Sequence, residues 1–375
     1  MVNTSIGTLF KVRSGDGIAV ASLSSYGKYP VYGGNGIAGY TNRYNTESGT
    51  MIIGRVGEKC GNINISASRC WVSDNALKVT PLVEYNQNYM MYLMEHTNLN
   101  SYANRNAQPV VSGQIIYAIE VPYCTDIEGQ SVIAGMLTDF DSHIANLAEL
   151  IEKKKGIRDG ALEDLVTGKT RLAGFIEEWI DTTINDVTQD VITGGTPSTS
   201  HPEYWGGTIP WLASTEIHQK MLDRETTHIT ELGLANSSAK IAPADSVLIA
   251  LAGQGKTRGT AAYLLRPMAL NQSLAALVCN EKMSSKFLFY LMESMYLPLR
   301  ELSSGDGGRG GLNKKLLRGV SIRIPSDVDE QKAIADVLTT MDEEITALED
   351  ERNKMIQIRE GAMDDLLTGR VRLSM

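Results

Sequence analysis

Only four cysteines occur in 375 residues, Cys60, Cys70, Cys124 and Cys279, and no two of them form a C-x-x-C pair. A disulfide framework is therefore unsupported, and reduced thiols in a cytoplasmic setting are expected. No apolar run approaches the roughly 20 residues that span a bilayer. Met1–Lys11 also lacks a basic segment followed by an apolar one, so a soluble chain with no membrane partner is expected. The five histidines, His96, His143, His201, His218 and His228, form no H-E-x-x-H and join no cysteine cluster, so no metal is expected. An [Asn/Asp]-Pro-Pro-[Tyr/Phe] methyltransferase tetrad is missing too. Positive charge is short: 35 Lys and Arg against 44 Asp and Glu leave a net charge of −9, which taken alone speaks against a phosphate-rich partner. What is present is 42% hydrophobic residues in a length suited to two or three domains with real cores.

The chain repeats itself. Glu128–Leu172 aligns without a gap on Asp329–Leu373 at a constant offset of 201, with 19 of 45 positions identical. Upstream, Tyr89–Glu95 (YMMYLME) matches Phe287–Glu293 (FLFYLME), and Val121-Pro122 matches Ile324-Pro325. Both copies carry an apolar stripe in alternating steps of four and three. In the first it runs through Ile133, Leu137, Phe140, Ile144, Leu147 and Ile151, then Lys154, Arg158, Ala161 and Leu165. In the second it runs through Ile334, Leu338, Met341, Ile345 and Leu348, then Arg352, Met355, Arg359, Ala362 and Leu366. Such spacing puts these residues on one seam of a helix that needs a partner. The T-G-[KR] stops at Thr167-Gly168 and Thr368-Gly369 predict two helices of about 38 residues, roughly 55–60 Å long. The nearest partner of each copy is the other, and two quasi-identical helices related by a pseudo-two-fold axis pair antiparallel.

The remaining segments hold most of the glycine, in clusters such as Tyr32–Gly36 and Ser303–Gly311, with short β-type runs between them. The expectation is an α+β fold: two globular domains separated by two long helices that form an antiparallel coiled-coil spacer, a pseudo-two-fold internal repeat. Residues 1–127 and 173–328 would be the globular domains, and residues 128–172 and 329–375 the two helical segments.

Three patterns look catalytic and fail on context. Ala250–Thr257 (ALAGQGKT) resembles a P-loop, but Ala250 stands where the first glycine belongs and the run to Arg266-Pro267 leaves no room for the helix whose N-terminus would cradle phosphate. Gly34–Gly39 satisfies G-x-G-x-x-G, yet turn and strand residues follow, so the glycines read as turn residues at positive φ. Asp327, Glu330 and Lys332 superficially match a metal-dependent nuclease but stand too close together to converge from two strands on one ion. No catalytic constellation emerges.

Two half-chains, each a Gly-rich α+β domain followed by a long helix ending in L-x-T-G-x-x-R-L, resemble the specificity (S) subunits of type I restriction-modification enzymes. Ile192–Ile217 (ITGGTPSTSHPEYWGGTIPWLASTEI) carries GGTPS, YWGG and IPW elements typical of that family's target-recognition domains, and Tyr29–Tyr40 (YPVYGGNGIAGY) is similar to a second common type. The first half has no GGTPS or YWGG counterpart, so the two domains are expected to read different sequences. The resemblance implies a non-catalytic, sequence-specific DNA-binding subunit that reads a bipartite, asymmetric site in double-stranded DNA. It further implies docking of two modification (methyltransferase) subunits and of restriction (translocase/nuclease) subunits. S-adenosylmethionine, ATP and Mg would then belong to those partners, with no cofactor in this chain. A coiled-coil scaffold that binds no DNA is the competing reading.

Base readout favours Arg and Lys at guanine and Asn and Gln at adenine. The candidate DNA-binding residues are Tyr32, Asn35, Arg43, Arg55 and Lys59 in the first domain, and Tyr204, Lys256, Arg258 and Arg309 in the second. Tyr204, for all that it is a candidate, and with it Trp205 and Trp211 are expected to pack rather than touch bases. Asn271-Gln272 suits either DNA contact or capping. Lys153–Lys155 reads as a solvated helix face. Divided by segment, the net charge is +1 over 1–127, −2 over 128–172, −2 over 173–327 and −6 over 328–375. The globular domains are thus nearly neutral, and the acidity sits on the second helix, which suits a protein partner better than phosphate.

Overall fold

The computed structural model describes residues 1–253, 256–302 and 311–371. Its contacts divide into two compact units, one built from Met1–Glu149 with Glu349 onward, the other from Leu150–Leu348. Each long helix thus contributes one part to each unit. The first runs Ile127–Val166 and the second Val328–Thr368.

The first unit opens with strand Val2–Ser5, antiparallel to Glu120–Tyr123, and a single turn of helix at Ile6–Leu9. A four-stranded sheet follows in the order Phe10–Ser14, Ala76–Pro81, Met51–Gly54, Ile63–Ile65. Three further strands order as Gly36–Thr41, Tyr29–Gly33, Trp71–Val72. The second unit opens in the same way, with Trp179–Thr183 antiparallel to Ser321–Pro325 and a helical turn at Ile184–Val187. Its five-stranded sheet orders Thr188–Thr193, Leu274–Cys279, Val247–Ala250, Ala261–Leu264, Met221–Leu222. Its four-stranded sheet orders Thr227–Ile229, Trp205–Leu212, Met268–Leu270, Lys240–Ala242.

The repeated YLME segments form equivalent helices for the same local reason. Asn86 caps Gln87–Thr97 by accepting from the Tyr89 N–H, and Ser284 caps Ser285–Ser294 by accepting from the Phe287 N–H. Such caps satisfy backbone donors that a helix leaves unpaired. Gln130 and Gln331, one turn into the long helices and fully buried, repeat a second device. The Oε1 of Gln130 accepts from Asn86 N–H at 2.7 Å and that of Gln331 from Ser284 N–H at 2.8 Å, which ties each short helix to its long one. Both long helices end on a left-handed glycine, Gly168 at φ +71° and Gly369 at φ +75°. Beyond them the Thr170 and Val371 N–H groups return to the Asp164 and Asp365 carbonyls.

None of the expected seam residues is exposed. In the first unit Ile133, Leu137 and Phe140 share a core with Ala362, Met363 and Leu366. In the second, Leu162 and Leu165 share one with Ile334 and Leu338. The direction of pairing follows from the ion pairs within each unit. Asp141 meets Arg359 and His143 meets Glu351; Lys154 meets Glu344 and Arg158 meets Asp342. As one number rises the other falls, so the helix segments are antiparallel. Lys154, expected on a solvated face, instead bridges to the second helix at 2.6 Å.

Candidate nucleic-acid interface

In the first unit, strands Tyr29–Gly33 and Gly36–Thr41 form a hairpin whose tip is Gly34-Asn35. Of the tip glycines Gly36 adopts φ +88°, whereas Gly34 serves close approach: a Cβ there would stand 2.1 Å from the Val56 carbonyl oxygen. A Cβ on Gly54 would stand 2.3 Å from the Gly34 oxygen, so the tip is clamped onto the end of strand Met51–Gly54. Only part of the G-x-G-x-x-G pattern is therefore explained by positive φ. The hairpin also rules out a dinucleotide fold, since strand rather than helix follows the glycines.

Asn35, Arg43 and Lys59 are exposed and Arg55 is half-buried. Tyr32 is a correction. It is 7% exposed, packed with Ile52, Cys70, Val72 and Ala76, and burial pushes its phenol above the ordinary value. It belongs to the core and is not placed to meet DNA. Asn35 lines a groove of about 580 Å³ together with Val56, next in the chain to Arg55. Arg55 spans to the Ser14 hydroxyl and the Asp74 carbonyl, both at 3.3 Å. Arg43 does not join this groove; its guanidinium lies 5.3 Å from the Trp71 ring centre, a cation–π seat.

In the second unit the three motif elements form one framework. The Trp211 indole N–H donates to the Gly195 carbonyl at 3.0 Å and that of Trp205 to the Ser198 carbonyl at 3.2 Å, while the two rings meet edge-on at 5.3 Å. Gly194 and Gly195 pass so close to strand Met268–Leu270 and Ser238 that a Cβ on either would stand under 2 Å from them. Both tryptophans pack as expected, and IPW and YW hold the GGTPS loop down at two carbonyls. The exposed Thr196, Ser198, Thr199, Ser200 and His201 are left facing outward. Tyr204 is half-buried and stacks on His201 with ring centres 4.8 Å apart. The Asn271 side chain accepts from Ser273 N–H, a local turn, and Gln272 accepts from the Thr196 hydroxyl at 2.6 Å, so this pair braces the same loop.

Ala250, where the P-loop-like run begins, ends strand Val247–Ala250, and the strand that follows the run, Ala261–Leu264, returns antiparallel beside it. Lys256 is exposed there and its carbonyl accepts from the Tyr296 hydroxyl; the half-buried Arg258 offers its carbonyl to Arg300. Arg309 lies outside the described residues. Glu330, part of the nuclease-like run, is fully buried in a bidentate pair with Arg171 and accepts from the Trp179 indole, a structural role. Among the described residues no group of three or more His, Cys, Asp or Glu is placed to hold a metal ion. Nor is any helix among them long and apolar enough to cross a membrane.

The sequence model of the type I restriction modification DNA specificity domain matches residues 1–154 and again residues 176–357. The chain belongs to this family. The specificity subunit of the Escherichia coli type I restriction enzyme EcoR124I/EcoR124II is 27% identical over 241 residues, 62% of this chain. The aligned chain spans only 56% of that relative's length. Among solved structures, the type I restriction-modification S subunit from M. genitalium covers all of this chain and 96% of its own, with a TM-score of 0.64 at 17% identity. A structure described as showing complex assembly and conformational transition of the type I R-M system covers 99% of this chain and 98% of its own, with a TM-score of 0.60 at 16% identity. These two share the fold.

The two halves matched by the specificity-family model are the two halves that repeat in sequence. Within this specificity-family chain the tryptophan framework makes a sharp prediction. Trp211→Phe leaves the buried Gly195 carbonyl without its donor and should cost about 1–3 kcal/mol. Trp205→Phe frees a solvent-reachable carbonyl and should cost less than about 1 kcal/mol. Thermal unfolding of the two variants checks the ranking, and equal losses would show that the Trp211 bond does not anchor the loop.

Proposed function

We propose that this chain is the DNA-reading, non-catalytic subunit of a type I restriction-modification complex in the cytoplasm. Each globular domain, roughly residues 1–127 and 173–328, reads one part of a bipartite asymmetric site in double-stranded DNA. The helices hold those two domains at a fixed separation as an antiparallel coiled-coil spacer. Two methyltransferase subunits dock on the chain, followed by restriction subunits, and S-adenosylmethionine, ATP and Mg are used there. The observation that carries this reading is the match of the specificity-domain model to both repeated halves. The unlike surfaces of the two domains support an asymmetric site: a clamped hairpin in one and a tryptophan-anchored loop in the other.

The test is to express the chain with its methyltransferase partner in a methylation-free host and sequence the methylome. A single two-part motif carrying methyladenine in each part is expected. An active methyltransferase that leaves no such motif would overturn the proposal and favour a scaffold that binds no DNA.

A further inference from the structure

We propose that the groove at the hairpin tip of the first unit reads an A·T base pair, with Asn35, Asn75 and Gln108 as the amides that contact adenine and Val20 and Ile37 as the apolar surface for the thymine methyl. This rests on the DNA-reading role above and adds to it the base and the residues. All five side chains line the same groove and are exposed.

The three amides come from segments far apart in the chain but are fixed to one short stretch of backbone, Arg55–Gly57. Gly34, beside Asn35, presses on the Val56 carbonyl. The Asn75 carbonyl accepts from Arg55 N–H at 2.9 Å, and the carbonyl of Pro109, beside Gln108, accepts from Gly57 N–H at 2.9 Å. Their backbones are therefore held while, among the described residues, none of the three side-chain amides has a hydrogen-bond partner. Amides on a held backbone, with spare donors and acceptors, can pair bidentately with adenine N6 and N7.

The rest of the lining narrows the base. No Lys or Arg lines the groove, which removes both a phosphate clamp and the usual bidentate contact to guanine. Val20 is 83% and Ile37 53% exposed, apolar surface that the fold leaves uncovered and that a thymine methyl would cover. Asp74, the one charged lining residue, is an acceptor that direct readout pairs with cytosine N4, so the A·T assignment rests on the three amides and the apolar surface.

The experiment uses the full chain with its methyltransferase partner and four variants, Asn35→Ala, Asn75→Ala, Gln108→Ala and Ile37→Ser, each read by methylome sequencing. Besides its methylated adenine, the wild-type motif should hold a further A·T pair in one part, and the variants should relax preference at that further pair by about tenfold. The other part of the motif should stay unchanged, which shows that the variant is folded and assembled. An unchanged motif in all four variants, relaxation at a G·C pair, or loss of all methylation in every variant would overturn the assignment. A wild-type chain that yields no two-part motif would instead sink the DNA-reading role itself, and the base assignment with it.

Discussion

Arg158→Ala is expected to destabilise the Leu150–Leu348 unit by about 3 kcal/mol, and its repeat partner Arg359→Ala to destabilise the other unit by only about 1 kcal/mol. The two arginines stand 201 residues apart, at equivalent positions of the repeat, and sit in the same constellation. Arg158 pairs with Asp342 at 2.8 Å and Glu293 at 2.5 Å and lies over the Tyr290 ring, whose hydroxyl donates to Asp342. Arg359 pairs with Asp141 at 2.9 Å and Glu95 at 3.2 Å over the Tyr92 ring, whose hydroxyl donates to Asp141. Burial decides the difference. The Arg158 side chain is 4% exposed and that of Arg359 16%, while the carboxylates around Arg359 are 48% and 42% exposed. Desolvation works to lower the Arg158 pKa, but its hydrogen bonds to Asp342 and Glu293 hold it above the ordinary value. Removing the guanidinium strands Asp342 and Glu293 in a partly dry site; Lys220, 2.5 Å from Glu293, keeps the loss at the lower end of the range for a broken buried pair. At about 2–4 °C per kcal/mol for a unit of this size, the expected falls in melting temperature are about 6–12 °C and about 2–4 °C. Equal shifts would mean that burial does not set the strength of these clusters.

That constellation shows where reading the sequence succeeds and where it stops. The ungapped offset of 201 pairs Asp141 with Asp342 and Arg158 with Arg359 in the alignment, and the YLME match pairs Tyr92 with Tyr290 and Glu95 with Glu293. What the alignment does not say is who touches whom: Asp141 and Arg158 lie on one helix, yet each meets the other copy's residue because the helices pair antiparallel. For the same reason the two units do not follow the sequence order of domain and helix: one joins Met1–Glu149 to Glu349 onward, and the other is the continuous stretch Leu150–Leu348, which holds the end of the first long helix and the start of the second. Periodicity exposes the seam because a helix has one repeat length, and aromatic burial exposes Trp211 because a large ring is rarely left in water. Tyr32 misleads because a turn cluster next to it suggests a surface tip while the strand turns the side chain inward. Asn75 and Gln108 carry no motif at all. Their only signals are neighbouring turn residues, Ser73-Asp74 before one and Pro109 after the other, and their convergence on Arg55–Gly57 depends on strand order that sequence spacing does not encode.

If the helices act as the proposed spacer, a one-turn insertion in both should lengthen the gap between the two parts of the proposed site by one or two base pairs and leave both parts unchanged. The insertion point is set by the repeat: repeating Ala148–Ile151 in the first helix and Glu349–Arg352 in the second adds four residues at equivalent positions. Four residues of helix add about 6 Å, and base pairs stack at roughly 3.4 Å, which gives the expected change. Four residues added to a three-four pattern form a stutter that a coiled coil absorbs by local unwinding, so the seam survives when both helices carry it. Inserted in the first helix alone, the same residues move Ile133, Leu137 and Phe140 out of register with Ala362, Met363 and Leu366, and destabilisation without a defined longer gap is expected. Methylome sequencing of both variants beside the parent reads gap and half-sites together. If the double insertion left the gap unchanged while both parts were still methylated, the helices would not be setting the distance, and the proposed spacer role would fall.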